Sequence, residues 1–268
     1  MRQKYQDAMA IVRKCGIPDF FITFTCNPNW SEIQLHLNGA NYLDRPDICV
    51  RVFNIKFKEF RKDLLENHVL GVPTAYVYQV EFQKRGLPHA HMLLTVRTED
   101  KINSVEKLDS VIWAEIPDAA INPRLNELVR EAMMHTPCSA NQTPCMQRYG
   151  TRCSKGFPKA FINDSVLIND GGYPSYRRRD NTANDVAQLR VGHTNQWVVP
   201  YNPWLLQKYG CHINVEMCAG IAAIKYIFKY ICKGVDMANV RVTNANEDGE
   251  LQYNEIDAHI SIHKLKFL

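Results

Sequence analysis

Two histidines in this 268-residue chain have the spacing needed to bind one metal ion. His89 and His91 are separated by a single residue, and in a β-strand residues i and i+2 project from the same face. Two imidazoles and one oxygen ligand leave open coordination positions, as a catalytic metal requires. Glu81 is the oxygen ligand that we expect first, and Gln83 the second. Glu216, expected one strand away, is a third choice.

Two tyrosines lie four residues apart on a helix predicted over 217–233. At 3.6 residues per turn Tyr226 and Tyr230 point about 40° apart, nearly opposite the apolar stripe, with Lys225 and Lys229 beside them. A tyrosine hydroxyl could attack a phosphodiester whose oxygen is polarised by the histidine-bound ion, forming a phosphotyrosine. The lysines could lower the phenol pKa and neutralise charge on the phosphate, and the second tyrosine permits a second transfer. Neither pair is distinctive alone, but together they predict this chemistry.

The elements that would position these side chains indicate an α+β fold with an antiparallel sheet. Period-two alternation over 76–96, interrupted by the turn-prone residues 84–88, predicts a hairpin that carries both histidines. The other predicted elements are helices over 1–15, 33–37 and 47–67, mostly helical structure with breaks over 108–134, and strands over 20–26 and 211–216.

Composition describes a globular chain that is large enough for a sizeable core, with 46% hydrophobic and 22% charged residues. It contains neither an apolar run of membrane-spanning length nor a signal-peptide core, so we expect no membrane partner. Nine cysteines, an odd number, indicate a reducing compartment with free thiols or metal ligands. A net charge of +4 permits a polyanionic partner without requiring one.

A Cys/His-rich segment over 135–160 has little periodicity and could be organised by a structural zinc ion. Its candidate ligands are His135, Cys138, Cys145 and Cys153. Their spacing, with two, six and seven intervening residues, is not a common zinc-finger pattern. Reduced, packed cysteines are the alternative interpretation.

A basic and aromatic run follows, with clustered arginines beside tyrosines. Such a combination suits phosphate contact and base stacking on single-stranded nucleic acid. The candidate DNA-binding residues are Tyr173, Tyr176, Arg177, Arg178 and Arg179. A solvated surface turn is the alternative.

The chain resembles the HUH endonucleases, specifically the Rep nuclease domain of Helitron transposons, often labelled the Helitron helicase-like domain. The resemblance is carried by residues 20–28, 81–91, 144–146, 153–159, 173–179, 197–203 and 211–234. It implies a ferredoxin-like or RRM-like central antiparallel sheet flanked by helices, with the metal-bearing hairpin in its middle and a Cys-rich insertion. His89 and His91 would be the ligands of Mg²⁺ or Mn²⁺, and Tyr226 and Tyr230 the two nucleophiles.

The resemblance further implies a nuclease domain over 1–268 that nicks single-stranded DNA at transposon ends, leaving a 5′-phosphotyrosine and a free 3′-hydroxyl. Strand transfer in rolling-circle transposition, a nuclear location and a helicase fused C-terminally would accompany this activity. No Gly-x-x-x-x-Gly-Lys-Ser/Thr motif occurs in the chain, so we expect no ATP hydrolysis from it. Because the chain ends without a terminating pattern, we expect a fragment of a longer protein or a degenerate copy.

Two other functions are compatible with parts of this pattern. A DNA-binding remnant that no longer cuts would keep the same motifs. A zinc hydrolase using the His-x-His pair is disfavoured, because no nearby Asp-His pair could hold a second metal and the tyrosine helix would have no role.

Overall fold

The sheet at the centre of the protein contains five antiparallel strands. The computed structural model describes residues 16–82, 86–135, 145, 153–169, 172–182, 194–218 and 266–267. The strands are β1 (Phe20–Thr25), β2 (Pro73–Phe82), β3 (Pro88–Val96), β4 (Ile213–Met217) and the two-residue β5 (Lys266–Phe267). Their order, β4-β1-β3-β2-β5, places the histidine strand β3 in the middle. This arrangement confirms the predicted α+β class and the central position of the hairpin.

Five helices accompany the sheet within the described residues. They are α1 (Ser31–Leu37), α2 (Pro46–Leu65), α3 (Val105–Val111), α4 (Pro123–Ala132) and α5 (Pro203–Tyr209). Short 3₁₀ turns lie at Tyr42–Asp44, Thr98–Asp100 and Asn195–Trp197. The helices predicted over 33–37 and 47–67 are confirmed, and the breaks expected in 108–134 separate α3 from α4. The helix predicted over 1–15 lies outside the described residues.

The main core forms where α2 packs on one face of the sheet. Alternate residues of β1 and β3 pair across the ladder, so that Phe24 stands opposite Ala90 and Ile22 opposite Met92. These residues are buried against a row of α2 side chains at helical spacing, which includes Phe53 and Phe60. The Phe24 and Phe60 rings lie 4.6 Å apart between centroids. With the apolar residues turned toward α2, the intervening polar residues of β1 and β3 occupy the other face.

A second, smaller core joins α4 to the segment that precedes α5. Leu128 and Val129 of α4 pack there with Val198, Tyr201 and Leu206. Backbone hydrogen bonds tie the same regions together, including Val199 N–H to the Met133 carbonyl at 2.7 Å. This cluster sets the position of the chain on both sides of the Cys/His segment.

None of the helices that the structure describes is both long enough and apolar enough to cross a bilayer.

Candidate functional site

The two histidines of β3 lie side by side on the sheet face opposite α2. Their ring centroids are 4.4 Å apart, and the rings meet nearly at right angles, at 84°. On β1 their direct partners are Thr25, opposite His89, and Thr23, opposite His91. Phe21, the next residue on the same face of β1, stacks on His91 at 5.5 Å between centroids. The alternation of β3 therefore brings the histidines together, as their spacing predicts.

The histidine rings contact threonine hydroxyls through their Nδ1 atoms. Thr25 Oγ1 lies 2.7 Å from His89 Nδ1, and Thr23 Oγ1 lies 3.2 Å from His91 Nδ1. Burial lowers the pKa of His89 to about 4, with a further contribution from the charge of nearby His212. His89 is therefore neutral at physiological pH, and only a neutral imidazole can bind a metal.

Oxygen ligands for an ion at this pair are available on β2. Glu81 stands directly opposite His89, and Gln79 directly opposite His91. The Gln79 Oε1 atom is buried and has no hydrogen-bond partner among the described residues, which is costly for an amide oxygen unless a cation or a water molecule binds it. Two imidazoles with carboxylate and amide oxygens form a mixed nitrogen and oxygen set suited to a divalent ion. The donor types therefore suit a divalent ion, although the ligand atoms of Glu81 and the two histidines do not converge within 4.8 Å of one another in this structure.

The other two sequence-based oxygen ligands, Gln83 and Glu216, have different outcomes. Gln83 lies outside the described residues, so its position stays a prediction. Glu216 of β4 pairs with Phe21 of β1, and Phe21 pairs in turn with Leu93 of β3. Glu216 therefore lies two strands from β3, level with Leu93. The expectation of a position one strand away was wrong, because β1 lies between β3 and β4. At a strand spacing of about 4.8 Å, Glu216 is remote from the histidines.

The Cys/His segment forms a second cluster of metal-ligating atoms. Ligand atoms of His135, Cys145 and Cys153 all lie within 4.8 Å of one another. Cys153 Sγ is 3.4 Å from His135 Nε2, and Cys145 Sγ is 3.9 Å from the same nitrogen. The Lys155 backbone N–H donates to Cys153 Sγ at 3.4 Å. A possible metal site therefore exists here, while Cys138, the fourth predicted ligand, lies outside the described residues.

Aromatic rings support the His135 side of this cluster. The Phe157 ring stacks on His135 at 4.3 Å between centroids, and Trp197 lies parallel to His135 at 6.3 Å. The His135 backbone N–H donates to the Trp197 carbonyl at 2.8 Å. Burial lowers the pKa of His135, and the charges of Lys155 and Lys159 lower it further. The ring is thus held in its neutral form, which can bind a metal.

The Cys/His cluster is joined to the histidine face through His212. His212 Nδ1 lies 2.8 Å from the Ala132 carbonyl, and because a carbonyl only accepts, Nδ1 carries the proton and donates. Ala132 ends α4, three residues before His135. The His212 carbonyl in turn accepts from Thr25 N–H at 3.1 Å. The backbone of residues 132–135 and these two hydrogen bonds therefore connect His135 to Thr25, whose hydroxyl contacts His89.

The predicted DNA-binding run divides into buried and exposed residues. Arg178 is only 4% exposed, and its Nη1 donates to the carbonyls of Ala114, Asn195 and Val198. Tyr176 is also buried, and its hydroxyl accepts from the Met217 N–H of β4 at 2.9 Å. These two side chains are not placed to contact DNA, because both are buried and form hydrogen bonds within the protein.

The remaining residues of the run are accessible in part. Arg179 pairs with Glu115 at 2.7 Å but keeps 62% of its side chain exposed. Arg177 is half-buried between Asp109 and Glu115, at 3.1 and 3.4 Å. Tyr173 is exposed. A DNA contact stays a prediction for these three.

Tyr226, Tyr230, Lys225 and Lys229 lie outside the described residues, so their predicted nucleophile helix remains a sequence-based expectation.

The comparison with protein families concerns the part of the chain that holds the histidine pair. Residues 1–94 match the family model described as the Helitron helicase-like domain at N-terminus. This match confirms the Helitron resemblance for that segment. The matched segment includes β1, β2 and both histidines of β3, and it ends before the Cys/His cluster. No curated protein matches the chain.

Sequence reasoning missed four residues of this site. Thr23 and Thr25 show the same i, i+2 spacing as the histidines, and that alternation could have identified them. Gln79 precedes Glu81 by two residues and so shares its face. His212 had no local signal, since its role depends on the approach of α4 to β4.

Proposed function

We propose that this chain is a metal-dependent single-strand DNA endonuclease and strand transferase acting in Helitron rolling-circle transposition. The observation that carries the proposal is the arrangement of His89 and His91 on one face of the central strand, with Glu81 opposite His89. These three side chains would hold Mg²⁺ or Mn²⁺, with Gln79 or Gln83 as a further oxygen donor. The Helitron match over residues 1–94 supports the same function.

The reaction would use two tyrosines from the part of the chain that is not described. When bound, the ion would polarise a non-bridging oxygen of the scissile phosphodiester. The hydroxyl oxygen of Tyr226 or Tyr230 attacks phosphorus and loses its proton, the P–O3′ bond breaks, and the departing 3′ oxygen is protonated. The products are a 5′-phosphotyrosine and a 3′-hydroxyl. Attack by another 3′-hydroxyl then releases the tyrosine and joins the strands.

The charged groups of the chain would assist this transfer. Lys225 and Lys229, beside the phenols in sequence, would favour the phenolate and offset charge on the phosphate. Tyr173, Arg177 and Arg179 would contact the single strand through stacking and phosphate pairing. Residues 1–268 would form one nuclease domain that acts in the nucleus beside a helicase domain of a longer protein.

We assign structural Zn²⁺ to the Cys/His cluster as part of this proposal. One imidazole and two thiols within 4.8 Å are three of the four ligands that a tetrahedral zinc site needs. Cys138 would be the fourth. The ion would stabilise residues 135–160, which form no regular helix or strand within their described part.

Covalent capture of DNA tests the nuclease. The protein is incubated with labelled single-stranded oligonucleotides and Mn²⁺, then examined by denaturing gel and by mass spectrometry. We expect a nucleotide adduct on the peptide that contains Tyr226 and Tyr230, and its loss in the Tyr226→Phe, Tyr230→Phe double variant. Bound DNA without an adduct would instead identify a DNA-binding remnant that no longer cuts.

A further inference from the structure

The two histidines are each contacted by a threonine of the neighbouring strand. Thr25 Oγ1 lies 2.7 Å from His89 Nδ1, and Thr23 Oγ1 lies 3.2 Å from His91 Nδ1. The antiparallel register places Thr25 opposite His89 and Thr23 opposite His91, so both contacts follow from one strand pairing. The same chemistry is thus repeated at two successive rungs of the ladder.

We infer that Thr23 and Thr25 are positioning residues that fix the tautomer and orientation of the two metal-binding imidazoles. A neutral imidazole carries one proton, and a hydroxyl oxygen can accept that proton from Nδ1. The ring lone pair then lies on Nε2, the nitrogen on the side away from the threonine. Metal-bound histidines generally donate their other ring N–H to a neighbouring group in this way. This inference rests on the proposed metal site at His89 and His91.

The threonines are suited to this role by their own rigidity. Both lie on β1, which is hydrogen-bonded to β3 on one side and β4 on the other. Thr23 is only 5% exposed. A β-branched side chain on a strand has few χ1 rotamers, so each hydroxyl stays where the backbone places it. The hydroxyls can therefore hold the rings before any ion binds.

The two positions should differ in importance. His91 is also restrained by the stacked ring of Phe21, at 5.5 Å and 18°. Thr23 shares its positioning role with that stack, and its contact to His91 is the longer one. Thr25 makes the shorter contact to His89. We expect the larger effect from removing the hydroxyl of Thr25.

Binding of Mn²⁺ to the full chain without DNA tests the inference. Thr25→Val keeps the shape and removes the hydroxyl, whereas Thr25→Ser keeps the hydroxyl and is the matched control. We expect about a 10- to 100-fold weaker Mn²⁺ affinity in Thr25→Val, measured by electron paramagnetic resonance, and near wild-type affinity in Thr25→Ser. A smaller loss is expected in Thr23→Val. Wild-type affinity in Thr25→Val would overturn the inference.

A metal-free measurement separates this inference from the proposed nuclease site. Nitrogen-15 NMR of labelled histidines reports which ring nitrogen carries the proton. We expect the Nδ1-protonated form of His89 in the wild type and a shift toward the Nε2-protonated form in Thr25→Val. An unchanged tautomer would again overturn the inference. Unchanged Mn²⁺ binding in His89→Ala would instead overturn the metal site, while the tautomer result still decides the role of Thr25. If Thr25→Val does not fold, Thr25→Ala replaces it in both measurements.

Discussion

Glu81 of β2 stands directly opposite His89 of β3 in the antiparallel ladder. Opposite residues of such a pair have Cβ atoms about 4.5–5.5 Å apart, close enough for both side chains to reach one ion. A carboxylate and an imidazole contributed by different strands of one hairpin keep this separation as long as the hairpin is paired. The proposed metal site is therefore built into the sheet.

Removing one imidazole of the pair should abolish nicking without abolishing DNA binding. We expect His89→Ala to reduce cleavage of a single-stranded oligonucleotide by at least about 100-fold, because the proposed ion would lose a ligand. Affinity for the uncleaved oligonucleotide, measured by fluorescence anisotropy, should stay close to that of the wild type. His36→Ala, which changes an exposed histidine on α1, is the control. Retained cleavage in His89→Ala would exclude the metal assignment.

Stability in the absence of metal should fall as the pH decreases from about 6.5 to about 4. The pKa of His89 is lowered from 6.5 to about 4, so the unfolded chain takes up a proton at a higher pH than the folded protein. The contribution of His89 to folding stability is therefore fully present above pH 6.5, and it is lost as the pH falls through this window. The loss is up to about 1.4 kcal/mol per pH unit for one such histidine.

Urea unfolding at a series of pH values in the presence of a chelator measures this effect. The pKa of His212 is also lowered by burial, so His212 should add to the slope. A His89→Gln variant should have a shallower dependence than the wild type. Parallel curves for the two proteins would show that His89 is not buried in its neutral form.

Replacing one ligand of the Cys/His cluster should remove one zinc ion per chain. We expect Cys153→Ser to lose bound zinc and to unfold at a lower temperature, because metal binding stabilises this segment. Cys49→Ala changes a buried cysteine that is not part of the cluster and should keep its zinc. Zinc content by elemental mass spectrometry, with Cys138→Ser in parallel, also determines whether Cys138 is the fourth ligand. Equal zinc in the wild type and Cys153→Ser would contradict the assignment.

Two adjacent arginines should behave in opposite ways. Arg178→Met removes the group that donates hydrogen bonds to three buried carbonyls, and it should destabilise the fold by about 2–5 kcal/mol. Arg179→Ala removes an exposed side chain and should cost about 1 kcal/mol or less.

Binding measurements complete this comparison. The affinity of Arg179→Ala for single-stranded DNA should be lower, with a weaker salt dependence, because one phosphate contact is lost. Thermal denaturation and anisotropy at several salt concentrations measure both properties. Unchanged affinity in Arg179→Ala would limit the run to a structural role.

Local pattern was sufficient to predict the sheet and its histidine pair. The alternation of β1 and of the hairpin reports directly which residues share a face, and His89 and His91 needed no further information. The helix α2 was equally predictable from the sequence, because its apolar residues repeat at helical spacing.

Features that depend on distant parts of the chain could not be predicted in this way. The position of Glu216 required the strand order, which no local pattern contains. The burial of Arg178 depends on the carbonyls of residues 114, 195 and 198, which are distant in sequence. Local sequence therefore predicts a surface position for the whole run of arginines. The convergence of His135 with Cys145 and Cys153 was predictable by residue type, but its geometry depends on the packing of Trp197.

If the chain has the proposed function, the contact between His212 and Ala132 affects which gene copies count as intact. Ala132 lies three residues before His135, and the His212 carbonyl accepts from the Thr25 N–H, so we expect damage to the Cys/His cluster to disturb the histidine pair. A copy that keeps His89, His91 and both tyrosines but has lost Cys153 should therefore be scored as defective. Under the proposed function, surveys that judge transposition competence by the catalytic motifs alone would overestimate the number of mobile copies.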